Sequence, residues 1–114
     1  MANNNTPLEL KPPRINKIVI EGESIYTLFV NNIIKKYDIS PLLKKETYFK
    51  LRNPSYLKTG KIDSGGYGVS WDDDCDLSEN ELWINGVSIT DEKESARLQL
   101  LFNKSIPKHE QKNS

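Results

Sequence analysis

Apolar and polar positions along the chain divide it into short segments separated by turn residues. Ile15 to Ile20 is rich in β-branched residues and is punctuated by Gly22, which predicts a strand. Ser24 to Val30 is apolar on both alternating faces, the strongest strand signal in the chain, and predicts a strand buried on both sides. Asn31-Asn32 suits a two-residue hairpin turn because Asn tolerates positive φ, and Ile33 to Asp38 then returns as a third strand. The three segments together predict an antiparallel meander.

The pattern changes at Ser40-Pro41. Ser can cap a helix and Pro suits its first position, so Pro41-Leu42-Leu43 is expected to open a helical turn. Asn53-Pro54 repeats that signal for a second turn through Leu57, with Tyr48, Phe49 and Leu51 as apolar anchors between the two. Gly60 to Asp63 and Tyr67 to Trp71 read as hairpin partners around Gly65-Gly66. Ser78-Glu79-Asn80-Glu81 is a capping box, in which Ser78 would accept from the Glu81 amide and Glu81 would reach back, and Gly86 fits the end of that short helix. A last helix from Asp91 to about Asn103 is expected to be capped by Thr90 and closed by Pro107. Its stripe is Leu98, Leu101 and Phe102, and acids in its first turn and Lys104 near its end match the helix dipole. The fold class is therefore α+β: an antiparallel β-meander with short helices and a C-terminal helix.

Composition changes this picture little. With 114 residues and 36% apolar content there is enough for one core, placed over residues 13–104, while the polar ends 1–12 and 105–114 are expected to be flexible tails. There is no apolar run of membrane-spanning length and no N-terminal signal core, so a soluble, cytoplasmic protein is expected. Cys75 stands alone, which excludes an internal disulfide.

Charge changes it more. The net charge is zero, yet residues 35–62 carry eight Lys/Arg against two acids (+6), and residues 63–96 carry ten acids against one Lys (−9). Such thirds can pair within the fold or present a bipolar surface to a partner, and internal pairing with solvated faces is the expectation.

The runs Tyr37-Asp38-Ile39-Ser40-Pro41-Leu42-Leu43, Leu51-Arg52-Asn53-Pro54, Gly65-Gly66-Tyr67-Gly68-Val69-Ser70-Trp71 and Asp76-Leu77-Ser78-Glu79-Asn80-Glu81-Leu82-Trp83-Ile84-Asn85-Gly86, with Phe49, resemble a small, uncharacterised bacterial domain family. The resemblance covers about Pro13 to Val87. It implies an α+β fold with a meander and short helices. It also implies one of three settings: a protein on its own, a fusion to a helix-turn-helix, or a pairing with another small protein in a toxin–antitoxin-like arrangement. It supplies no catalytic residues. Two positions depart from the family pattern: Asp72-Asp73-Asp74-Cys75 replaces a turn that usually holds Gly, and Trp83 stands where Tyr is usual. The Asp91 to Asn103 helix lies beyond the shared region and is too short for a helix-turn-helix.

Candidate chemistry is sparse. Asp72, Asp74 and Asp76 resemble the start of an EF-hand loop, but the positions that need Gly and Glu hold Leu77 and Trp83, so a solvated turn is expected. Cys75 has acidic sequence neighbours, which disfavour a thiolate and suit a small, partly buried residue. His109, the only imidazole, sits in the C-terminal tail. Gly65-Gly66-Tyr67-Gly68 precedes a strand rather than the helix a phosphate loop needs. Trp71 and Trp83 are expected to anchor the core.

No catalytic centre, cofactor or metal site is expected. The remaining candidate is a basic interaction surface of Lys44, Lys45, Lys50, Arg52, Lys58 and Lys61, interleaved with Tyr48, Phe49 and Tyr56. Cations with aromatics can bind single-stranded nucleic acid, but a pI near 6.6 favours aromatics facing the core with lysines in water. The leading expectation is a non-enzymatic protein-interaction or regulatory module, antitoxin-like, with a protein partner. The alternative is a nucleic-acid-binding protein that uses residues 44–61, and that binding is expected to be weak.

Overall fold

Two small antiparallel sheets and a C-terminal helix are built from the segments above. The structure, a computed structural model, describes residues 11–104. The two expected tails, with Pro107 and His109, therefore lie outside the described residues apart from Lys11 and Pro12. In chain order the elements are β1 (Ile15–Glu21), β2 (Ser24–Phe29), β3 (Ile34–Asp38), two 3₁₀ segments (Ser40–Lys44 and Glu46–Arg52), α1 (Pro54–Leu57), β4 (Lys61–Ile62), β5 (Gly68–Asp72), β6 (Cys75–Ser78), α2 (Glu79–Asn85), β7 (Val87–Ser88) and α3 (Glu92–Lys104). The α+β class and the meander are as the sequence predicts. One sheet runs β1-β2-β3-β7 and the other β4-β5-β6. Among the described residues no helix is long and apolar enough to cross a membrane.

The two-sided apolar pattern of β2 has a direct consequence: residues 25–29 are all buried. Ile25 and Phe29 point into a main core completed by Ile39, Leu51, Val69 and Leu82. Tyr26 and Leu28 point the other way, where Ile34 joins them beneath Leu98 and Phe102 of α3. Burying each such side chain contributes about 1.5–3 kcal/mol.

The β1–β2 connection is a two-residue loop, Gly22-Glu23, closed by Glu21 opposite Ser24. Positive φ falls on Gly22 (+58°) and not on Glu23, which is how Gly serves the first central position of a type II′ turn.

The β2–β3 connection needs one residue more than Asn31-Asn32. The Asn32 N–H donates to Phe29 O and the Phe29 N–H to Ile33 O, both at 2.9 Å, so Val30, Asn31 and Asn32 form a three-residue loop. Asn32 takes the left-handed position (φ +72°), the usual bulge of such a loop, and Val30 is left 57% exposed outside the strand.

Other expectations shift for local reasons. The first 3₁₀ segment begins at Ser40 itself: Ile39 holds the cap position without a side-chain bond, Asp38 Oδ1 accepts from the Ser40 N–H at 3.0 Å, and the turn stays 3₁₀ rather than α. Asn53 caps α1 as expected, with its side chain accepting from Ser55 N–H at 2.9 Å. Ser78 also caps α2, accepting from the Glu81 N–H at 3.0 Å. Glu81 does not reach back, because its Oε2 accepts the Tyr37 hydroxyl at 2.7 Å. Asp91, not Thr90, caps α3: its Oδ2 accepts from Glu94 N–H at 2.8 Å. β6 occupies what reads as a loop: Cys75 and Leu77 are buried and Asp76 and Ser78 exposed, a period-two pattern under the acidic charge.

The two sheets are joined at Gly66. Its carbonyl accepts the Ile15 N–H at 2.9 Å, its φ is +80°, and a Cβ there would lie 2.6 Å from Ile15 O. Only glycine allows both the turn and the approach.

Candidate interaction surface

The six basic residues singled out in the sequence are all exposed, but they do not converge on one pocket. Lys50 pairs with Asp72 at 3.0 Å, and among the described residues this is the one ion pair joining the basic third to the acidic third. The Arg52 guanidinium lies 4.1 Å from the centre of the Phe49 ring while its Nε donates to Leu43 O at 2.9 Å. Lys44 and Lys45 close the first 3₁₀ segment in solvent, and Lys45 lines a shallow pocket with Tyr48 and Glu81. Lys61 borders a different pocket, among Asp63, Asp72, Asp73 and Asp76. Lys58 faces a third depression, described below.

The interleaved aromatics divide. Tyr48 and Tyr56 pack on the main core, as expected. Phe49 is 43% exposed, contrary to a uniformly core-facing set, because its neighbour Leu51 takes the interior position on the 3₁₀ segment. Trp71 and Trp83 both pack on the main core: Trp71 Nε1 donates to Leu57 O at 2.7 Å, and Trp83 stands edge-on to Phe29 at 5.0 Å beneath the Lys35 ammonium.

Groups with chemical potential are committed internally. The Asp72 carboxylate accepts from the Tyr56 hydroxyl, from Lys50 Nζ and from the Asp74 N–H, and these bonds hold its pKa down at about 2. The Tyr56 bond in turn pushes the phenol up. Cys75 is buried, and burial, reinforced by the Asp72 charge, raises its thiol. The Tyr37 hydroxyl is raised by burial and then by its bond to Glu81. Among the described residues no three His, Cys, Asp or Glu side chains are grouped to hold a metal ion.

One open part of the surface is backbone. Among the described residues β1 has a neighbour on one side only. The two-residue hairpin loop makes Glu21 and Ser24 a hydrogen-bonded pair, so by alternation Val19 and Lys17 also bond to β2 while Ile18 and Ile20 turn their N–H and C=O groups outward. The rest of the ladder keeps the same parity: Val30 N–H donates to Arg14 O on the β1 side, and Phe29 N–H to Ile33 O on the β3 side. The Ile15 end of the edge is covered by Gly66. Beyond it, a groove of about 430 Å³ follows Ile18, Val19 and Ile20, walled on one side by Lys58 and Gly60 and on the other by Leu101 and Lys104. Sequence reasoning singled out Lys58 alone of these for a surface role. The signal available for the rest was the length of β1 against the two-residue β4.

The architecture is thus an α+β domain with an open sheet edge along β1. The chain belongs to the DUF2442 family of proteins of unknown function, whose model matches residues 16–88. That stretch runs from β1 to β7, and α3 lies beyond it. No curated protein and no solved structure matches the chain.

Proposed function

We propose that this chain is a non-catalytic protein-interaction module with a regulatory role, acting in the cytoplasm as the antitoxin-like member of a two-gene pair. The observation that carries the reading is the open edge of β1. Folded proteins cover, shorten or charge such edges because unpaired strand groups recruit other chains. Here the outward groups of Ile18 and Ile20 stay free among the described residues. The internal commitment of Asp72, Glu81 and Cys75 supports the non-catalytic part. Co-expression with the product of the neighbouring gene, followed by size-exclusion chromatography with light scattering, is the test. A stoichiometric complex is expected, and two proteins that elute independently would remove the antitoxin-like, two-gene setting from the reading.

One observation favours nucleic acid instead: Arg52 stacked on the exposed Phe49 ring forms a platform of the kind that single strands use. Titrating oligonucleotides against wild type and a Lys44→Glu/Lys45→Glu variant separates the two. Binding no tighter than roughly 10⁻⁴ to 10⁻⁶ M, equal in both, is expected. Tight binding lost in the variant would replace the protein-partner reading.

A further inference from the structure

We infer that the groove along β1 takes an extended acidic segment of a partner protein as an added β-strand. The inference rests on the interaction reading above and names the chemistry of the partner. Ile18 and Ile20 offer two outward N–H and two outward C=O groups in one line, the full repeat an antiparallel neighbour requires. Among the described residues none of the four has a hydrogen-bond partner. Main-chain bonds of this kind supply affinity without reading sequence. Specificity comes from the walls, because side chains of an added strand alternate between the two faces of the sheet.

Each wall offers one uncharged contact and one cation. On the α3 side these are Leu101 and Lys104, and on the opposite side Gly60 and Lys58. Gly60 presents backbone to the groove, and its missing side chain makes room for the Trp71 indole, which lies 2.8 Å from where a Cβ would stand. Among the described residues the groove is lined by two lysines and no acid. Neither Lys58 nor Lys104 has an ion-pair partner among the described residues. An added strand that carries acidic side chains on both faces meets both cations.

The same charges argue against a second copy of this chain as the occupant. A twofold axis on β1 would bring both pairs of lysines into one shared groove. Glu21, the acid of β1, is already held by Arg97 at 2.9 Å. Lysines beside an edge are a common device against self-pairing. Here they bar a like-charged edge and admit an acidic one.

The experiment is an NMR titration of the isotope-labelled full chain with a short, capped peptide that repeats Glu-Glu-Val-Val, which puts glutamate on both faces of an added strand, and with its Lys-Lys-Val-Val counterpart. The glutamate peptide is expected to shift the Ile18 and Ile20 amides saturably and to slow their hydrogen exchange about tenfold or more. The lysine peptide should leave them unchanged. In a Lys58→Glu/Lys104→Glu variant, two exposed changes that leave the core intact, affinity for the glutamate peptide should fall about tenfold or more and the preference should invert. Unmoved Ile18 and Ile20 amides, equal response to both peptides, or a concentration-dependent dimer with these amides at its centre would each overturn the inference. The two claims fail separately. A stable complex with the neighbouring gene product that leaves the edge amides unprotected keeps the interaction reading and removes this one. A glutamate peptide that binds while the gene product does not removes the two-gene setting alone.

Discussion

The two faces of the meander are buried by different means. On one face Ile25, Phe29 and Tyr37 meet residues supplied by the 3₁₀ segments, α1, β5, β6 and α2, in a cluster of twelve buried side chains. On the other face Tyr26, Leu28 and Ile34 meet Leu98 and Phe102 in a cluster of five buried side chains, with Val19, Ile89 and Leu101 packed at its margin. The first face is shared among many elements, so no part of it can leave without exposing the rest. The second depends on one helix joined by one connection, and α3 is also the part of the fold that lies beyond the family match. Elements covered by few contacts are those that open locally below the global unfolding free energy. α3 is therefore expected to be the separable part of this domain and the main core the indivisible one.

The sharpest test removes one phenylalanine from each side. Phe29→Ala should destabilise the whole domain by about 4 kcal/mol and unfold it globally, visible as one cooperative loss of all amide protection. Phe102→Ala deletes a comparable buried ring, yet its cost should appear mainly in α3. Hydrogen exchange is expected to show that helix unprotected while β2 and β3 keep most of theirs. If both variants lose protection uniformly, the two faces form one cooperative unit and the contrast disappears.

Next in size is the joint between the sheets. Gly66→Ala forces a Cβ against the Ile15 carbonyl at positive φ, and a loss of about 2 kcal/mol is expected in denaturant unfolding. A smaller effect of opposite sign is expected at Thr27, fully buried in β2, whose Oγ1 has no hydrogen-bond partner among the described residues. Thr27→Val keeps the shape and removes an unsatisfied hydroxyl, so unfolding in urea should show a gain of about 1 kcal/mol. A loss would mean that the hydroxyl is satisfied in solution.

The smallest effect is a pH dependence at the rim of the main core. Asp72 titrates at about 2, below its ordinary value, so its bonds stabilise the fold above pH 4 and that contribution is lost as pH falls towards 2. Asp72→Asn should flatten the decline of melting temperature over that window and leave its value at pH 9 nearly unaltered in slope. An unchanged acid limb would remove Asp72 as a contributor.

Much of this was legible in the chain. The period-two pattern with β-branched residues placed β1 to β3. Asn53-Pro54, Ser78 and the Leu98, Leu101, Phe102 stripe placed α1, α2 and α3 to within a residue or so. These signals are local: a cap, a turn or an amphipathic face is decided by neighbours a few positions away. Charge hid the alternation of Cys75 to Ser78, because four aspartates in five positions read as solvated loop although Cys75 and Leu77 are buried. β7 could not be read at all, since two residues become a strand only by pairing with Lys35 and Lys36 of β3. Glu81 illustrates the same limit. Its local role as a capping-box partner lost to a hydroxyl 44 positions away.

The candidate site lies wholly on that second level. Sequence by itself determined that β1 exists and that its neighbours include basic residues. Tertiary structure alone decided which strand would be an edge, and it drew Lys58, Gly60, Leu101 and Lys104 from distant segments to wall that edge. The physical reason is that a strand's hydrogen-bonding sides are equivalent in the chain, and only the packing of the rest of the molecule determines which side is left open.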